Sequence, residues 1–182
     1  MSWSAFKSTL LPAMQSNLFG NNIDGFAKTF TTSYDIAIKG GKETINPIPL
    51  LKGNTAAMEA QLIGLLRQTQ MSKATTLLDI IGPAIISYWA GGTMAPIPPL
   101  IPAPGAIANI VLTQGTVLNP GTWSPIPVPP NNDSNVFLNA FVTAAKIHLS
   151  TISGLYVVLA QYPPPAPPAP GVLPWTGYIV PD

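Results

Sequence analysis

Ile23-Asp24-Gly25-Phe26-Ala27-Lys28-Thr29-Phe30-Thr31-Thr32-Ser33-Tyr34-Asp35-Ile36-Ala37-Ile38-Lys39, followed by Gly40-Gly41, is the stretch that sets the fold class. Ile23, Phe26, Ala27, Phe30, Tyr34, Ala37 and Ile38 recur three and four residues apart and fall on one apolar stripe. That period belongs to an amphipathic helix. Asp24 with Lys28, and Asp35 with Lys39, are acid-first pairs four residues apart on another face. They support the same helix. Asn21-Asn22 offers an N-cap and the glycine pair a stop, so a helix is expected over 22–39.

Helical periods continue on both sides. Upstream, Trp3, Phe6, Leu10, Met14 and Leu18 share a face, with Pro12 inside the pattern. Either the helix kinks at Pro12 or a new one starts with Pro12 in its first turn. Downstream, residues 42–53 hold Pro47 and Pro49 and read as an extended connection. Asn54 or Thr55 caps a helix over 55–69, with Ala57, Met58, Leu62, Leu65 and Leu66 inward. Ser72 caps another over 73–90, with Leu77, Leu78, Ile81, Ile85, Ile86 and Trp89 on its stripe; Gly82-Pro83 should kink it and Gly91-Gly92 should end it.

Proline then rules out helix over most of 94–130. The runs 107–112 and 115–118 around Thr113-Gln114 suggest one small hairpin, and Trp123 an anchor in the extended chain that follows. Asp133 or Ser134 caps a long helix expected over 134–160. Its seam is Leu138, Val142, Ala145, Leu149, Ile152, Tyr156 and Leu159, spaced four and three apart. The opposite face, Asn139, Thr143, Lys146, Ser150 and Ser153, is polar but nearly uncharged, so a neighbour could bury it cheaply. PPPAPPAP at 163–170 is a stiff polyproline rod, tipped by GVLPWTGYIV at 171–180. The fold expected is mainly α: a helical bundle with a long C-terminal helix, proline-rich extended segments and one small β-hairpin. Residues 1–160 would form one helical domain with an extended insertion at 94–130, and 161–182 a proline-rich C-terminal arm.

Charge is distributed very unevenly. Residues 80–132 are 53 consecutive residues without a charged side chain, and eleven of them are proline. Twelve of the fifteen charged residues lie at or before Asp79. The charged fraction is 8%, against roughly a quarter in an ordinary soluble domain. A surface so poor in charge calls for a cover of protein or lipid. Net charge is +1, so there is no electrostatic footprint for nucleic acid and no basic run for anionic lipid. With no cysteine, disulfides, thiolate metal sites and cysteine nucleophiles are excluded. The N-terminus lacks the basic and apolar regions of a signal peptide. The best membrane-span candidate, 77–90, is interrupted by Asp79 and Pro83 and falls short of the ~20 residues a span needs.

Candidate chemistry is sparse. His148 is the only histidine, without partners at metal-ligand or triad spacing, and reads as a structural residue. Asp79 stands inside an apolar helix, where the first-turn macrodipole accounts for an acid. Asp133 reads as a cap. No phosphate loop, dinucleotide fingerprint, nucleophile elbow or H-E-x-x-H pattern occurs. The expectation is no catalytic residue, no metal and no cofactor. The residues expected to carry function are interface anchors: Trp123 and Ile126 in the uncharged stretch, and Trp175, Tyr178, Ile179 and Val180 at the tip of the arm.

MSWSAFKSTLLPAMQSN, then FGNN, then DGFAKTFTTSYDIAIKGG, and further on Lys52-Gly53-Asn54, resemble the opening of small virion structural proteins of T4-like myoviruses that infect marine cyanobacteria. The resemblance covers the N-terminal third, on residues of an amphipathic helix and its caps. It implies a particle component and no catalytic residue. The function expected is therefore that of a structural protein of a tailed-phage virion, in the tail, baseplate or neck. Its partners would be other virion proteins and copies of itself in a symmetric assembly, with neither nucleic acid nor membrane. A capsid decoration protein is the alternative within that class, a membrane-active helical protein the alternative outside it, and a small hydrolase ranks last.

Overall fold

The computed structural model describes residues 2–15, 22–44, 49–68, 74–90, 92–94, 110–114, 134–160 and 169–182. The fold is mainly α. Five helices among the described residues, α1 (Trp3–Ala13), α2 (Ile23–Lys39), α3 (Thr55–Gln68), α4 (Ala74–Trp89) and α5 (Ser134–Thr151), form the body of the protein. Short strands complete it: β1 (Lys42–Glu43), β2 (Leu50–Lys52), β3 (Thr93–Met94), β4 (Ile110–Gln114), β5 (Ser153–Ala160), β6 (Ala169–Thr176) and β7 (Tyr178–Ile179).

Local chemistry sets the helix boundaries. Ser2 Oγ accepts the Ala5 N–H at 3.4 Å and starts α1, which continues through Pro12 in its last turn. A proline there forfeits a single backbone bond close to where the ladder ends anyway. Asn22 Oδ1 accepts the Gly25 N–H at 2.8 Å at the head of α2, and Asn54 Oδ1 accepts the Ala57 N–H at 3.2 Å at the head of α3. Each satisfies a donor that the first turn leaves unpaired. Asp35 and Lys39 pair along α2 at 2.7 Å as their spacing predicts. Asp24 instead reaches across to Arg67 Nη2 on α3, at 2.8 and 2.9 Å, rather than along its own helix to Lys28. The helix α4 runs through Pro83.

Helix α1 packs on α2 and α5, α2 also on α3, and α3 on α4. The apolar stripes meet in one core built around aromatic rings. The Phe6 and Phe141 rings stack at 5.3 Å, and Phe30 meets Phe141 edge-on at 5.3 Å. From Trp3 the series passes to Tyr34, then to Tyr88 at 5.1 Å, Trp89 at 5.8 Å and Tyr178 at 5.4 Å. Such pairs each add roughly 0.5–1.5 kcal/mol beyond the area they bury. Trp89 Nε1–H donates to the Tyr34 hydroxyl at 3.2 Å, and the Tyr88 hydroxyl to Asp35 Oδ1 at 2.8 Å, so these rings enter the core with their polar ends satisfied.

Two expectations are corrected. The last helix ends at Thr151, not at 160, and the seam stays helical only as far as Leu149. Thr151 Oγ1 bonds back to the His148 carbonyl at 2.9 Å, and Gly154 follows. Residues 155–158, Leu-Tyr-Val-Val, carry aromatic and β-branched side chains that favour a strand. Strand β5 pairs antiparallel on both sides, with β4 and β6, and two rows of ladder bonds outweigh the continued heptad spacing of Tyr156 and Leu159. The expected turn Thr113-Gln114 is part of strand β4, which pairs with β5, 39 or more residues downstream in sequence; the second half of the expected hairpin, 115–118, lies outside the described residues. Strand β6 takes Pro170 and Pro174 into the sheet because it is an edge strand, where missing N–H groups face outward.

The second correction concerns the C-terminal arm. It does not project. Residues 169–176 pair with β5, and β7 pairs antiparallel with β1, Lys42 opposite Ile179 and Glu43 opposite Tyr178. Residues 161–168, most of the proline octet, lie outside the described residues. A stiff linker fixes how far the chain travels between anchors but not its direction, and a strand partner on each side supplies the return.

Candidate interaction surface

The C-terminal segment closes the fold like a clasp. Gly177, at φ 75°, turns the chain from β6 into β7 in a conformation that favours glycine. Its N–H donates to the Ile152 carbonyl at 2.7 Å, and its own carbonyl accepts the Thr44 N–H at 3.1 Å. Tyr178 then enters the core. Its hydroxyl donates to the Ile38 carbonyl at 2.8 Å and accepts the Leu50 N–H at 2.9 Å, joining the end of α2 to β2. Burial pushes this hydroxyl up to about 12, so it remains a protonated donor at ordinary pH. Val180 is buried beside it, the Trp3 N–H donates to the Pro181 carbonyl at 2.9 Å, and Lys146 on α5 pairs with the Asp182 side chain. Trp3 and Pro181, the second and the penultimate residues of the described chain, are thus bonded to each other. Gly41 makes room for the approach: a Cβ there would lie 2.5 Å from the Ile179 carbonyl oxygen.

The strand alternation sorts the expected anchors. Tyr178 and Val180 point inward and are consumed by the chain's own core, which corrects their assignment as a docking tip; neither has area left for a partner. Ile179 points out and is 63% exposed. Trp175 sits in β6 opposite Gly154. Trp123 and Ile126 lie outside the described residues. Among the described residues two further large apolar side chains are exposed that no sequence pattern singles out: Leu51 on β2 at 60%, and Ile147 on α5, the helix against which β7 packs, at 46%. On an amphipathic helix or a three-residue strand, exposure of one particular apolar residue depends on which neighbours arrive, so no local pattern marks it.

Chemistry for catalysis is thin. His148 is buried in α5, its Nδ1 has no hydrogen-bond partner, and burial lowers its pKa to about 4. It is a neutral core side chain, and among the described residues no carboxylate orients it. Burial also raises the Tyr34 and Tyr88 hydroxyls, the latter further through Asp35. A half-open groove of about 340 Å³ runs between α1 and α2, lined by Phe6, Thr9, Lys28, Thr32, Ser33 and Ile36 among others. Ser33 Oγ is buried there without a partner, and no imidazole or carboxylate lines the groove to activate it. Among the described residues no group of three or more histidine, aspartate or glutamate side chains could hold a metal ion, and no helix is long and apolar enough to cross a membrane. The side chain of Asp79 and all of Asp133 lie outside what is described.

In comparisons with known proteins, no family model, no curated protein and no solved structure matched the chain.

Proposed function

We propose that this chain is a structural component of a tailed-phage virion, in the tail, baseplate or neck, where it contributes protein–protein contacts to neighbouring virion proteins and to copies of itself. The observation that carries this reading is the run of 53 residues without charge at 80–132 in a chain that is only 8% charged. Apolar and uncharged polar surface gains little from water, and an assembly covers it. The resemblance of the N-terminal third to virion proteins of cyanobacterial myoviruses supports the same class. Exposed Leu51, Ile147 and Ile179 add apolar contact area on the described part of the surface. The contacts run through the uncharged stretch and the folded body, not through a projecting tip.

Mass spectrometry of purified particles tests the reading directly. The chain should be present at a fixed stoichiometry to the other virion proteins. Absence from intact particles overturns the proposal. Charge placed at Trp123 or Ile126 should block incorporation while leaving helix content unchanged, because an unpaired charge buried in an interface costs several kcal/mol. Normal incorporation of both variants would mean that this stretch faces solvent.

A further inference from the structure

The prolines of β6 reveal which backbone groups of the β4–β5–β6 sheet face outward. Pro174 stands opposite Leu155 and Pro170 opposite Leu159. Proline has no N–H to exchange, so these are the non-hydrogen-bonded pairs of the ladder. Residues 154 and 156 of β5 therefore turn their N–H and C=O groups to β6, and Leu155 turns its own to β4. Val111 lies opposite Leu155, with Ile110 and Leu112 opposite Tyr156 and Gly154. It follows that Val111 bonds to β5, while the N–H and C=O groups of Ile110 and Leu112 point away from the sheet.

The two edges of this sheet are thus unlike. The β6 edge lacks donors at Pro170 and Pro174, which blunts it against strand addition. The β4 edge, Ile-Val-Leu-Thr-Gln, has no proline and no charge, and among the described residues no strand lies on it. An open edge of that kind is a template for another strand.

We infer that the β4 edge pairs antiparallel with the β4 edge of a second copy, about a two-fold axis through Val111. That register places Ile110 of each copy opposite Leu112 of the other. These are the two residues with outward groups, so both N–H and both C=O groups of each copy are satisfied and four hydrogen bonds form without a bulge. No like charges meet across the axis, because the strand carries none. Three strands from each copy make a six-stranded sheet whose outer edges are both proline-blunted β6 strands. Growth stops at the dimer rather than continuing into a fibre. The inference deepens the proposed assembly role by naming a self-contact, yet it can fail separately: a monomer found in particles would sink the strand pairing alone.

Sedimentation equilibrium on the full chain over a wide concentration range tests it, together with residue-resolved amide hydrogen exchange. The wild type should reach a dimer and no larger species. Leu112→Pro removes an outward N–H without touching a bond to β5, and it should abolish the dimer at unchanged helix content and melting behaviour. In the wild type, the Ile110 and Leu112 amides should become protected as concentration rises, while the Val111 amide is protected throughout. A monomer at every concentration, or a Leu112→Pro protein that dimerises normally, overturns the inference. Should Leu112→Pro fail to fold, exchange decides: Ile110 and Leu112 amides that stay unprotected at the highest concentration overturn it equally.

Discussion

Replacing Tyr178 by phenylalanine separates a clasp from an arm. The substitution removes one oxygen and leaves the ring, which still meets Trp89 at 5.4 Å. What disappears is the pair of bonds to the Ile38 carbonyl and the Leu50 N–H, at 2.8 and 2.9 Å, both made by a hydroxyl inside the core. A buried backbone group stranded without a partner costs about 1–3 kcal/mol, so two of them cost about 2–4 kcal/mol after modest relaxation. Lost ring burial does not enter, and no cavity larger than one oxygen opens. Urea denaturation followed by tryptophan fluorescence and far-ultraviolet circular dichroism should show a lower midpoint at unchanged slope. Tyr34→Phe is the comparator: its oxygen accepts a single bond, from Trp89 Nε1, and the loss should be smaller. A Tyr178→Phe protein within about 0.5 kcal/mol of wild type would refute the reasoning, because a hydroxyl in water contributes no more than that. Tyr178 would then belong to a projecting segment, and the inter-subunit role of the tip would return.

Truncation after Tyr162 removes β6 and β7 together and should lower the melting temperature markedly and increase binding of an apolar dye, since Tyr178 and Val180 leave a buried core; an unchanged melting curve would contradict the cis arrangement. Gly41→Ala should destabilise the protein by about 1–3 kcal/mol, because its Cβ would lie 2.5 Å from the Ile179 carbonyl oxygen and 2.6 Å from Tyr178 Cε1, and β7 would have to move; thermal unfolding measures it. Stability should fall with acidity through His148: burial holds the imidazole at about 4 against 6.5 in the unfolded chain, so the unfolded state binds the extra proton between those values. Its contribution is complete above 6.5 and lost by about pH 4, up to about 3 kcal/mol, and His148→Gln should flatten that part of the profile in melting experiments from pH 4 to 7.

Much of the helical body is legible residue by residue. Phe26, Phe30 and Tyr34 declare their face by spacing alone, and Asn22, Asn54 and Gly40 mark ends because a cap is an interaction between neighbours in sequence. The α5 boundary is different. Leu149, Ile152, Tyr156 and Leu159 keep a helical period past the point where the helix stops, while Gly154 and the Val157-Val158 pair favour extension. Two local signals conflict there, and strands far away in sequence decide between them. Ion pairs divide the same way: Asp35 finds Lys39 one turn on, whereas Asp24 finds Arg67 only because α2 and α3 pack together.

By itself the sequence determined the helix class, the apolar faces of α1, α2 and α3, the caps of α2 and α3, and a charge distribution concentrated in the first 79 residues. Those are local or compositional properties, fixed by residues within a turn or two of one another. Tertiary structure alone decided that 153–160 is a strand, that the final residues return to close the core, and that Tyr178 and Val180 are spent inside while Ile179 is left outside. Each of those outcomes rests on backbone hydrogen bonds and buried area shared between segments remote in sequence, such as Glu43 with Tyr178 or Leu155 with Pro174. Whether such a contact forms depends on what the rest of the chain brings to that place.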